Sequence, residues 1–240
     1  MNQVRHIVNH CRGKRTLLLT TSTRWEGSEE TAKSTQLAQQ IQKELGESCQ
    51  LMDITKLHIY QCEGNVSRED GNRCGLKESA LKDTDKNPTG FHRCWASFNH
   101  KDDELWKVSK VLFESDVVLL FGSVRWGQVN SVWQKLIERL TWIENRQSTL
   151  GEDNIVGNIE AGCILLGHNW KGAEVLNTQK TVLEFFGFKV PEGLSFNWQW
   201  TTDMFNETEE GYDQDIIDFR KEFNIQKRVD ESFEDWLKRK

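Results

Sequence analysis

Short runs that are apolar throughout alternate along the chain with longer runs that are apolar only at helical spacing. Arg15 to Thr21, centred on Leu17, Leu18 and Leu19, predicts a buried strand. From Glu30 to Leu45 the apolar positions Leu37, Ala38, Ile41 and Leu45 share one helix face, and Gly46 is a natural stop. Cys49 to Ile54 predicts a second strand. Order resumes at Asp102, where Leu105, Val108 and Leu112 line one face of a helix that Asp102 or Asn99 can cap. Val117 to Phe121, ended by Gly122, predicts the third strand, and Trp133, Leu136, Ile137 and Leu140 the helix after it. Ala161 to Gly167 is a fourth strand. Val175, Gln179, Val182, Leu183 and Phe186 then mark a helix that stops at Gly187, and Leu194 to Trp200 a fifth strand.

Strands apolar on both faces, alternating with amphipathic helices, imply a parallel sheet covered on both sides. Right-handed crossovers make it a doubly wound α/β sheet with strand order 2-1-3-4-5. Residues 58–101 show no sustained period and read as a long irregular insertion of the functional kind. The insertion enters at the edge of the ligand-binding face, which predicts a lid or a subunit arm. Residues 1–202 form one domain in this reading. Residues 203–240, acidic and then carrying Phe219, Phe223, Phe233 and Trp236, form a C-terminal helical extension.

Composition narrows the partners. A chain of 240 residues can bury a sizeable core, and no apolar run approaches the roughly 20 residues that span a bilayer. The net charge of −6 argues against nucleic acid, and the basic clusters at Arg12 to Arg15 and Lys238 to Lys240 read as solvated tails. The first residues lack the apolar core of a secretory signal, so a cytoplasmic location is expected. There the six cysteines are thiols or metal ligands rather than disulfides. Cys62, Cys74 and Cys94 with His92 could close a tetrahedral zinc site, but they are widely spaced and form no C-x-x-C pair. Scattered reduced thiols are therefore the expectation, with no metal.

The turn after the first strand carries candidate chemistry. Gly27 to Ser34, GSEETAKS, comes within one residue of the triphosphate loop G-x-x-x-x-G-K-[ST], but Ala32 replaces its second glycine. Glu29 and Glu30 would also stand where phosphates must be cradled. A different set, Ser22, Thr23, Arg24, Ser34 and Thr35, can surround a monophosphate with hydroxyls and one guanidinium at a helix N-terminus. The loops after the third and fourth strands, GSVRWGQVN (Gly122 to Asn130) and GHNWKG (Gly167 to Gly172), each join glycines to a tryptophan and reach the same rim of the sheet.

Three segments, TSTR…KSTQLAQQI, ESDVVLLFGSVRWGQVNSVWQKLIERL and AGCILLGHNWKG, resemble the flavodoxin-like NAD(P)H-dependent FMN reductases, relatives of the iron-sulfur flavoproteins. The resemblance covers residues 16 to 190. It implies that Ser22, Arg24, Ser34 and Thr35 hold the FMN phosphate. Ser123, Val124, Arg125, Trp126 and Gly127 would line the ring, and Gly167, His168, Asn169 and Trp170 would flank its other side. Val124 and Arg125 replace the family's usual proline and tyrosine, and Arg125 adds a charge that could meet the cofactor or a nicotinamide phosphate. The implied activity passes electrons from NAD(P)H through FMN to a small molecule such as a quinone or free flavin. It assigns no catalytic acid or base, although His168 could protonate an acceptor or be structural. The tryptophans suggest a homodimer. A flavodoxin-like electron carrier and a cofactor-free binding module on the same fold remain alternatives.

Overall fold

The computed structural model describes residues 3–25, 28, 31–167, 170–199 and 221. Five parallel strands, β1 (Thr16–Thr20), β2 (Cys49–Asp53), β3 (Val117–Arg125), β5 (Glu160–Gly167) and β6 (Phe196–Gln199), stand in the order β2-β1-β3-β5-β6. Counted among parallel strands alone, that order is the 2-1-3-4-5 expected from the sequence, and the fold is flavodoxin-like. β4 (Gln128–Val129) adds a short antiparallel hairpin to the end of β3.

Strand alternation divides the core in two. Leu17, Leu19, Val118, Leu120, Cys163 and Leu165 face α4 (Leu105–Leu112), α5 (Ser131–Ser148) and α6 (Gly172–Phe185). Leu18, Val117, Leu119, Phe121, Ile164 and Leu166 face α1 (Gln3–Cys11) and α2 (Lys33–Leu45). Every residue of β1 is buried, which is why that strand reads as continuously apolar. Gly162 lies where a side chain has no room: a Cβ there would come within 2.1 Å of the Leu194 carbonyl oxygen. Gly162→Ala is expected to cost about 1–3 kcal/mol by overpacking, read as a lower midpoint in thermal melts.

Ahead of the basic cluster Arg12 to Arg15, in which Arg12 and Arg15 are exposed, lies an N-terminal segment for which the sequence predicted no element. It forms α1, and Val4, Ile7, Val8 and Cys11 bury one face against the sheet. Their spacing is helical, but intervening charges and histidines dilute the stripe to a few positions. Of the basic residues that follow, Lys14 Nζ meets Glu160 at 2.7 Å and Arg15 forks onto Asp116 at 2.9 and 3.3 Å. The expected C-terminal extension, Lys221 apart, lies outside the described residues. Among the described residues no helix is long and apolar enough to cross a membrane.

The insertion is irregular as expected, with one short α-helix, α3 (Trp95–Asn99), and a 3₁₀ turn at Lys77–Ser79. It is bolted to α5 by two buried arginines. Arg139 forks onto Asp103 (2.8 and 2.9 Å) and donates to the Tyr60 carbonyl, with both side chains of the pair fully buried. Arg146 and Arg93 share Glu152, and Arg146 also donates to the Phe91 carbonyl. Asp103 accepts the Leu105 amide, while the N-cap position of α4 is Glu104, not the Asp102 or Asn99 expected. Asp102 instead meets His58 and Tyr60.

Candidate functional site

The carboxyl ends of β1, β3 and β5 are neighbours in the sheet, so the turns leaving them meet. The first two are locked together from below. Thr21 donates both its amide and its hydroxyl to the Phe121 carbonyl at 3.0 Å. Asn130 donates Nδ2 to the Thr21 hydroxyl (3.0 Å), gives its own amide to the Ser123 carbonyl, and caps α5 by accepting the Trp133 amide. Gly122 is required at the crossing, since a Cβ would lie 2.6 Å from the Trp133 ring and 2.8 Å from the Thr21 hydroxyl. GSVRWGQVN therefore works as a fixed arch, with Gly122 and Asn130 as its feet.

Above this lock lies a hollow of about 280 Å³ lined by Ser22, Thr23, Arg24, Ala32, Lys33, Ser34, Ser123, Val124, Arg125, Leu166 and Gly167. α2 begins at its wall, and the first amide bonded within the helix is that of Gln36, to the Ala32 carbonyl. The preceding first-turn amides have no acceptor inside the helix and carry the positive end of its dipole. Ser34 Oγ donates to Ser22 Oγ at 2.7 Å and so ties the helix start to the turn. Arg24, Lys33 and Arg125 bring three cations to a chain of net charge −6, and no carboxylate lies among the described lining residues. Such a wall suits an anion.

The sequence-predicted residues divide accordingly. Ser22, Thr23, Arg24, Ser34, Ser123, Val124, Arg125 and Gly167 are brought together around the hollow. Thr35 is not among the lining, because one helical step turns it about 100° from Ser34. Trp126 and Gly127 are also absent from it. They form the two-residue turn of the β3–β4 hairpin, both at positive φ (50° and 69°), and the Trp126 indole is 90% exposed. Trp170 lies beside Gly127 instead of in the hollow. His168 and Asn169 lie outside the described residues. Ala32, Lys33 and Leu166 were not expected in the lining; Lys33 could have been inferred from its place in the first turn of α2.

No residue of 58–101 is among the described residues that line the hollow. The insertion's cysteines and histidine serve other contacts. Burial lowers His92 to about 3, and its Nδ1 meets the Ser109 hydroxyl at 2.7 Å. Cys94 Sγ accepts from Arg139 Nε, and burial pushes the Cys74 thiol up to about 12. Among the described residues no group of three or more His, Cys, Asp or Glu is placed to hold a metal ion.

No protein-family model matches the sequence, and no curated protein matches it. Solved structures do resemble the fold. RosB with bound intermediate OHC-RP (8-demethyl-8-formylriboflavin-5′-phosphate) superposes with a TM-score of 0.56 at 15% identity, over 87% of this chain and 74% of that one. An azoreductase from Bacillus anthracis str. Sterne gives 0.48 at 13% identity, over 87% and 98% of the two chains. NAD(P)H:quinone oxidoreductase from Methanothermobacter marburgensis gives 0.47 at 10%, over 91% and 99%. At these identities the likeness is one of fold.

Proposed function

We propose that the chain is a flavin-dependent oxidoreductase that holds FMN in the hollow and passes electrons from NAD(P)H to a small-molecule acceptor. One observation carries the reading: the turn after β1, the start of α2 and the ends of β3 and β5 share a cavity whose walls are hydroxyls, a helix N-terminus and cations on one side and strand ends, one of them glycine, on the other. That donor set fits a phosphate with a flat ring beside it. Ser22, Thr23 and Ser34, the first-turn amides of α2, Arg24 and Lys33 would hold the phosphate. Ser123, Val124 and the backbone of Arg125 would border the ring on one side, Leu166 and Gly167 on the other. That RosB, on the same fold, holds a riboflavin 5′-phosphate derivative supports the choice of ligand.

FMN held there would supply the hydride and electron-transfer chemistry between nicotinamide and acceptor. The protein's own work is to bind, orient and keep the two partners on the open side of the cavity, and no side chain in the lining is required as acid or base. A homodimer belongs to the same proposal, supported by the exposed indoles of Trp25 and Trp170.

The test is an absorbance spectrum of the protein after loading with FMN, followed by anaerobic addition of NADPH or NADH. Retention of a flavin band on desalting is expected, with bleaching that needs no helper reductase. A colourless protein overturns the reading. A flavin band that neither nucleotide bleaches would make the chain an electron carrier.

A further inference from the structure

The β3–β4 hairpin bears two side chains, Arg125 and Trp126, to which the flavin reading gives no role. Its turn holds Trp126 at positive φ, a costly conformation for a bulky side chain, and leaves the indole 90% exposed. No core packing offsets that cost. The neighbouring Arg125 is exposed, and its side chain has no hydrogen-bond or ion-pair partner among the described residues. Other cations nearby are paired, as Lys171 is with Glu174 at 3.0 Å. A Cβ on Gly127 would lie 3.4 Å from Lys171 Cγ and 3.7 Å from Trp170 Cζ3, so the hairpin tip rests against the turn that opens α6 and beside a second exposed indole.

A guanidinium fork matches a phosphate, and an indole on the next residue offers a face for a base. On adjacent residues the two match an adenosine that carries a phosphate on its ribose. The FMN phosphate has its own partners across the hollow, in Arg24, Lys33 and α2, and leaves Arg125 for a second anion. The 2′-phosphate is the group that distinguishes NADPH from NADH, and arginine accommodates it in other dinucleotide sites. The geometry points to the hairpin as the element that selects NADPH, Arg125 pairing with the 2′-phosphate and Trp126 stacking on the adenine. As a statement about the reductant it rests on the flavin reading, but the binding step can be measured without redox chemistry.

Calorimetry on the FMN-loaded chain with adenosine 2′,5′-bisphosphate and adenosine 5′-monophosphate tests it directly. The bisphosphate is expected to bind at least about tenfold more tightly, a preference that falls to about twofold or less in Arg125→Ala and is kept in part by Arg125→Lys. Trp126→Ala weakens both nucleotides alike and leaves the preference in place. In turnover assays normalised to flavin content, the ratio of kcat/KM for NADPH to that for NADH falls about tenfold or more in Arg125→Ala. Equal binding of the two nucleotides by the unaltered chain overturns the assignment, as does a preference that survives Arg125→Ala. A chain that takes up no FMN yet prefers the bisphosphate through Arg125 would lose the flavin reading alone. Bleaching by NADH and NADPH with equal kcat/KM would remove the hairpin assignment alone.

Discussion

Asp103→Ala is expected to lower the unfolding midpoint by roughly 6–20 °C. The carboxylate and the Arg139 guanidinium are both fully buried, and the substitution strands a cation that cannot shed its proton. Removing one partner of such a pair costs about 3–5 kcal/mol, and each kcal/mol moves the midpoint of a chain this size by roughly 2–4 °C. Burial alone would raise the Asp103 carboxyl, but the fork from Arg139, the Ser97 hydroxyl and the Tyr60 amide overcome it and hold the group below its ordinary value. A carboxyl depressed in the folded state contributes stability in full above its unfolded pKa, and that contribution is lost as pH falls through the folded value. The variant should therefore lose stability at neutral pH and show less further loss on acidification through the carboxylate range. Replacing both partners, Asp103→Leu with Arg139→Met, should recover much of the midpoint, because it removes the stranded charge as well as the pair. A single-variant midpoint within about 2 °C of the unaltered protein would mean that Arg139 finds another partner and that the insertion is not held by this pair.

That anchor shows where sequence reading stops. Asp103 and Arg139 are 36 positions apart, and nothing local to either marks it as buried and paired. Read singly, each is a surface charge, so the sequence shows the insertion without its anchor. Strands were legible for the opposite reason: Leu17 to Leu19 and Val117 to Phe121 are buried on both faces, so burial alone makes them continuous apolar runs. Gly122, Gly167 and the start of α2 followed from topology, because a parallel sheet must deliver its strand ends to one rim. The hairpin was hidden by its turn. Two-residue turns with positive φ at both positions favour Asn-Gly or Asp-Gly, whereas this chain uses Trp126-Gly127, which reads as an aromatic facing a ligand. Trp126 stands instead at the exposed tip of that turn, outside the residues that line the hollow.

Arg24→Ala is expected to weaken FMN retention by about 10- to 100-fold. The guanidinium lines the hollow beside the first turn of α2, and losing a charge-assisted hydrogen bond costs about 1.5–3 kcal/mol. Lys33 lines the same wall but brings a flexible point charge instead of a planar fork, so Lys33→Ala should cost less. The ranking also decides between the anions that the first turn could serve. In a triphosphate loop the lysine would dominate and the arginine would be dispensable, so a larger loss from Lys33→Ala would bring that reading back. Ala32→Phe supplies the steric control: Ala32 lines the hollow without charge, and a benzyl group there should block FMN while leaving every cation in place. If Arg24→Ala and Ala32→Phe both kept FMN at full stoichiometry with unchanged affinity, the flavin would have to bind elsewhere. The hollow beneath the three turns would then be an anion pocket for some other ligand.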